Sequence, residues 1–133
     1  MKTKNVRVMI NKQIDGDKTD VEMANAPDAW FTEIKVVDAL ERSEDDNILE
    51  NLCSKVKLGG KIILSGIDAH EICRRVHYGK LGLAAAAEHL FKNANRLNSI
   101  ADLKDYLVNQ KKWKILFAGL QDGRYLVEAE RNQ

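Results

Sequence analysis

Apolar and polar residues alternate over Val6-Arg7-Val8-Met9-Ile10, and the β-branched side chains there predict a first strand. From Asn11 to Asp28 the chain is polar, holds Asp15-Gly16-Asp17 and its only proline, Pro27, and keeps no period. That stretch predicts a loop, with a short strand at Asp20 to Met23. Glu33 to Val37 predicts a second strand. Ser43 with Asp46 resembles a capping box, and Ile48, Leu49, Leu52, Cys53 and Val56 follow at helical spacing, with Gly59-Gly60 as the stop. Lys61 to Ile67 predicts a third strand, whose apolar centre Ile62-Ile63-Leu64 suits a strand covered on both faces by helices.

Beyond it, Asp68 with Glu71 marks another helix start, and Ile72, Cys73 and Val76 form its apolar stripe, which makes Cys73 a small buried hydrophobe. Gly79 and Gly82 interrupt the chain before a helix in which Leu83, Ala87, Leu90 and Phe91 share a face. Ser99 with Asp102 caps a further helix carrying Ile100, Leu103, Tyr106 and Leu107. Trp113 to Ala118 and Tyr125 to Ala129 predict two strands joined at the hairpin signal Asp122-Gly123. This order is α/β, and 133 residues make one domain, 1–133.

One segment is more specific than its periodicity. Glu33-Ile-Lys-Val-Val-Asp-Ala-Leu-Glu-Arg, a helix, and then Val56-Lys-Leu-Gly-Gly-Lys-Ile-Ile-Leu-Ser-Gly-Ile-Asp68 resemble the middle of a class I S-adenosylmethionine-dependent methyltransferase. In that family a strand ends in a short acidic segment and a Leu-Lys-Pro-Gly-Gly turn opens the fifth strand. Lys57-Leu58-Gly59-Gly60 stands in that place, with Leu58 where the family usually has proline. Ser99 onward resembles the family's late helix, and Trp113 to Arg131 its terminal antiparallel hairpin. The resemblance covers residues 33 to 131 and implies a reduced Rossmann-like sheet of about five mixed strands. It also implies S-adenosylmethionine as cofactor and kinship with short forms known from viral genomes.

The first third departs from the family. A Gly-rich turn should follow the first strand, where missing side chains let the backbone approach the cofactor. Here Ile10-Asn11-Lys12-Gln13-Ile14 follows, with no glycine before Gly16. About twenty residues separate the first two strands, whereas a βαβ unit takes about thirty. The first helix and at least one strand–helix unit of the family's first half are therefore expected to be absent.

Composition narrows the function classes. Hydrophobic residues at 44% and charged residues at 31% exclude a disordered chain. Lys plus Arg number 21 against 20 acids, and a net charge of +1 argues against a dedicated duplex-binding protein. No apolar run reaches the roughly 20 residues of a membrane span, and the start lacks a signal peptide's apolar core, so a cytoplasmic or host-intracellular location is expected. Two cysteines make neither a disulfide framework nor a zinc site, and no metal is expected.

Ligands of open α/β sheets bind beyond the carboxyl ends of the strands. That rule selects Asn11 and Lys12 after the first strand, Asp38 and Ala39 after the second, and Ser65 to Asp68 after the third. Asp38 is the candidate catalytic group, able to orient an amine or accept its proton. Asn11, Asp38, Ala39 and Asp20, the last as a ribose-binding acid, are the cofactor-side candidates. Asp68, Arg74 and His77 are the substrate-side candidates, although Asp68 also reads as a helix cap and the cluster Arg74, Arg75, His77, Lys80 as a solvated face with a Glu71–Arg75 pair. Two functions follow: a small methyltransferase-like protein, or a catalytically inert domain of that fold serving as an interaction or assembly subunit. A sheet shortened at its first strand should associate with itself or a protein partner, with Trp30 and Phe31 as anchors.

Overall fold

Ile34 and Val36 lie two apart on one side of a strand, and Ile62 with Leu64, and Tyr125 with Val127 and Ala129, repeat the pattern on its neighbours; all are buried. In the computed structural model, which describes residues 7–11, 28–42, 47–91 and 97–132, these rows align in one mixed sheet. Its strands are β1 (Arg7–Asn11), β2 (Phe31–Val37), β3 (Val56–Ile67), β4 (Lys114–Gln121) and β5 (Arg124–Glu130). They lie in the order β1-β2-β3-β5-β4. The first three are parallel, and the terminal hairpin is antiparallel with β5 against β3. Asp122 and Gly123 both have positive φ, 53° and 79°, as a tight hairpin turn with the sheet's twist requires.

The helices are α1 (Ala39–Arg42), α2 (Ile48–Lys55), α3 (Ala69–His77), α4 (Leu83–Phe91) and α5 (Ile100–Asp105), the last running into a π-helical turn over Tyr106–Gln110. Leu52 and Cys53 of α2, Leu103 of α5 and Leu107 of the π-turn press on the buried rows and complete the main core. Each such leucine contributes roughly 1.5–3 kcal/mol of transfer free energy. The opposite face is covered less fully than the apolar run at Ile62–Leu64 suggests. Ile63 is only half-buried, and the second apolar cluster sits at one end of the face, where Ile67 meets Ile72, Ala86 and Leu90.

Four sequence expectations shift. The helix expected to run to Gly59-Gly60 ends at Lys55, and Val56 begins β3. The two glycines instead form a bulge: Phe31 pairs with Val56 and Glu33 with Lys61, so four residues of β3 oppose Thr32 alone. Gly59 has φ +81°, and a Cβ on Gly60 would lie 2.9 Å from the carbonyl oxygens of Lys57 and Thr32. Cys73 is exposed, because Ile72 and Val76 take the inward side of α3 and the next residue, turned by about 100°, points out. On α4 the buried pair is Ala86 and Leu90, which leaves Leu83 and Phe91 in solvent. Phe31 belongs to β2 and packs on the main core, so of the expected anchor pair only Trp30 is exposed. The expected cap Ser43–Asp46, the strand at Asp20 to Met23 and Asp20 itself lie outside the described residues.

Candidate strand-end site

Parallel pairing brings three strand ends into one row: Asn11 is level with Val37, and Val37 with Ser65. Asp38 follows directly. Its N–H donates to the Ser65 carbonyl at 2.9 Å, and its φ of +59° is one that aspartate tolerates better than most side chains. The turn sets its carboxylate beside the hairpin, where Arg124 Nη2 donates to Oδ1 at 2.9 Å and stands 3.5 Å from Ser65 Oγ. Both side chains of this ion pair stay partly open to solvent. Ala39 begins α1 next to Asp38.

One turn further, Glu41 points inward. It is 8% exposed and lies against Gly66, whose missing Cβ would stand 1.9 Å from Glu41 Oε1 and 2.7 Å from the Tyr125 hydroxyl. Tyr125 OH donates to the carboxylate at 2.9 Å and Asn98 Nδ2 at 2.9 Å. Burial pushes the Glu41 carboxyl up to about 7 against the pull of these two donors, and the nearby Asp38 charge adds to the rise. The Tyr125 hydroxyl is pushed up as well, by burial and then by the Glu41 charge. Beside this cluster an open groove of about 260 Å³ is lined by Leu40, Ile48, Asn98 and Tyr106, and among the described residues the buried Tyr106 hydroxyl has no hydrogen-bond partner.

Asp68 is 1% exposed, and both of its oxygens are used. Oδ1 accepts from Glu71 N at 2.8 Å and Oδ2 from Ile100 N at 2.7 Å, so one side chain caps α3 and ties down the start of α5. The other substrate-side candidates do not join it. Arg74 and His77 sit about 9 and 13 Å further along α3 by helical rise. Arg74 is held by Glu71, Nε to Oε2 at 2.8 Å, and those hydrogen bonds draw the Glu71 carboxyl down to about 2. His77 is exposed and packs edge-on against the Tyr78 ring. Cys53 is buried and its thiol pushed up to about 12 by burial, so it is no nucleophile. Among the described residues no three His, Cys, Asp or Glu side chains stand together as a metal group, and no helix is long and apolar enough to cross a membrane.

The sequence pointed to Asp38 at this strand end, and did not point to Glu41, Asn98, Arg124 or Tyr125, which the fold brings beside it. Glu41 stood inside the quoted acidic segment, and its place three residues after Asp38, beside the inward-facing Leu40, was the signal available.

The architecture now has a counterpart among solved structures. The chain has a class I methyltransferase-like fold: three parallel strands on one side of the sheet, a Gly-Gly turn in the third, and an antiparallel terminal hairpin paired through β5 to the other side of β3. No family model matches the sequence. A search of curated proteins likewise found no match. Among solved structures, an S-adenosylmethionine-dependent methyltransferase of Thermotoga maritima superposes with a TM-score of 0.55 at 18% identity, over 82% of this chain and 61% of that one. A chain from the complex of the Haloferax volcanii Trm112 methyltransferase activator with a methyltransferase gives 0.54 at 11% identity, over 82% and 57%. The S-adenosylmethionine-dependent methyltransferase SibL gives 0.51 at 14%, over 97% and 44%. The chain thus spans less than two thirds of the length of each of these neighbours.

Proposed function

We propose that this protein is a small methyltransferase-like protein that takes S-adenosylmethionine beyond the ends of β1 and β2, with Asp38 facing the methyl acceptor. The observation that carries the reading is the Asp38–Arg124 pair. A carboxylate is set by a left-handed turn at the end of a central parallel strand, anchored through one oxygen and partly open to solvent. Asn11 and Ala39 flank it along the chain and across β1. The cofactor would supply an electrophilic methyl on a sulfonium. Asp38 would align an amine or hydroxyl acceptor with that methyl and take the proton released as the new bond to carbon forms and the carbon–sulfur bond breaks. Titration calorimetry with S-adenosylmethionine and S-adenosylhomocysteine tests this. Binding of either that weakens about tenfold in Asp38→Ala supports the site, and absence of binding by both sinks it.

A second reading, an inert domain of the same fold acting in assembly, is favoured by a different observation. All three carboxylates at this end of the sheet, Asp38, Glu41 and Asp68, already hold protein groups. Calorimetry without heat for either ligand, together with a folded and cooperative melt, is the outcome that reading expects.

A further inference from the structure

Strand register sorts the side chains at this end of the sheet. Arg124 is level with Ile67 and Leu126 with Ser65, so these four share one face, and Ile67 packs there on the cluster of Ile72. A second arginine reaches the same place from α3. A Cβ on Gly123, the residue before Arg124, would stand 3.2 Å from Ile72 Cδ1 and 3.5 Å from Arg75 Nη1. Guanidinium groups from two elements thus flank the start of β5, next to Asp38.

Neither is used up. Arg124 turns Nη2 to Asp38 and Ser65, and among the described residues its Nε and Nη1 have no acceptor. Arg74 takes both oxygens of Glu71, at 2.8 and 2.5 Å. Arg75 is left one loose contact, Nε to Glu71 Oε1 at 3.4 Å, and no acceptor among the described residues for its two Nη groups. The Arg124 and Arg75 side chains are each about one third exposed, and Leu126 adds open apolar surface on the same face. The rim therefore presents a carboxylate, an apolar floor and two forks of spare donors. Such forks match the paired oxygens of a carboxylate or phosphate.

We propose that Arg75 and Arg124 hold the oxyanion of the methyl acceptor, which is then an amine that also carries a carboxylate or a phosphate. Its amine faces Asp38 and its acid faces the arginines, so each end meets the opposite charge. A plain amine would leave both guanidinium forks unmatched. Calling this ligand the acceptor rests on the methyl-transfer reading above, whereas the anion site rests on the two arginines alone.

Nuclear magnetic resonance titration of the full chain reads the site, with inorganic phosphate in one arm and succinate in the other, at constant ionic strength and without cofactor. Saturable shifts of the Gly123 and Arg124 amides are expected, and the arm that saturates at lower concentration distinguishes phosphate from carboxylate. Arg75→Gln should weaken this binding about fivefold or more. Lys80→Gln, an equal loss of charge in the exposed stretch after α3, should change it less than about twofold. Circular dichroism checks that both variants are folded. Calorimetry with S-adenosylmethionine should give the same affinity for Arg75→Gln as for the parent. Absence of saturation in both arms overturns the site, and so does an equal loss in Lys80→Gln, which marks diffuse attraction. If Arg75→Gln weakens S-adenosylmethionine as much as the anions, the arginine holds the cofactor's own carboxylate and the acceptor assignment falls. Anion binding in a chain that takes no S-adenosylmethionine overturns the methyl-transfer reading and keeps the anion site. Cofactor binding without anion binding overturns this inference alone.

Discussion

Asp38 and Glu41 are carboxylates three residues apart at the end of the same strand, and their surroundings are opposite. Asp38 faces the rim, partly hydrated, and meets a full positive charge on Arg124. Glu41 faces the interior, where its partners are the neutral donors Tyr125 and Asn98. Hydrogen bonds without a counter-charge do not repay the desolvation of an anion, so burial wins and Glu41 holds its proton to about pH 7. The comparison teaches that two carboxylates within one turn at a single strand end can be treated oppositely, one paired with a guanidinium at the rim and the other pushed toward its protonated form in the interior. Four experiments break or sharpen it.

The largest effect is expected at Gly66. In Gly66→Ala the new methyl would occupy the place of the Glu41 carboxyl and press on the Tyr125 hydroxyl. Displacing that buried pair should cost about 2–4 kcal/mol in urea unfolding. An unchanged midpoint would show that Glu41 does not lie against β3.

The pH dependence comes next. The folded-state pKa of Glu41, about 7, is raised above the ordinary 4.5, so the native state binds the extra proton between these values. Stability attached to that proton is full below about pH 4.5, falls as pH rises through 7, and is flat above. The loss is roughly 3 kcal/mol at 1.36 kcal/mol per tenfold change in proton affinity. Glu41→Gln keeps the size and one acceptor oxygen but cannot titrate, and should erase this slope in melting curves taken from pH 5 to 8. A slope that survives assigns the titration to another group.

The other end of β3 provides a control. Gly60→Val would drive a branched side chain onto three backbone carbonyls, and Gly59→Val would force φ +81° on a β-branched residue. Losses of about 2 and about 1 kcal/mol are expected, with the pH slope of the parent retained. If either variant flattened that slope, the bulge and the Glu41 cluster would be coupled.

The smallest effect on stability belongs to the rim. Asp38→Ala and Arg124→Ala should each cost less than about 1 kcal/mol, since solvent screens a half-exposed pair. Their effect should appear in S-adenosylmethionine titrations instead, where Cys73→Ser, an exposed thiol on α3, changes nothing. A reversed order, with Cys73→Ser the weaker binder, moves the site to α3.

Legibility followed sequence distance. The caps at Asp68 and Ser99 were readable because acceptor and donor lie three residues apart, at Glu71 and Asp102, and both bonds are present. The stripes of α3 and α4 were readable only to within one residue, because a nine-residue helix offers too few turns to choose between adjacent faces. Tyr125 reads as a strand residue by periodicity, and nothing local says that its hydroxyl reaches Glu41, 84 positions earlier. Arg124 meets Asp38 across 86 positions.

By itself the sequence determined the order of strands and helices, the two caps, the hairpin turn and the likeness to a methyltransferase core, all of which rest on spacings of a few residues. Which carboxylate keeps its charge, which cysteine is buried and which strand becomes an edge were decided by tertiary structure. Those properties depend on what burial brings to each side chain from the far end of the chain, and on how much water it leaves there.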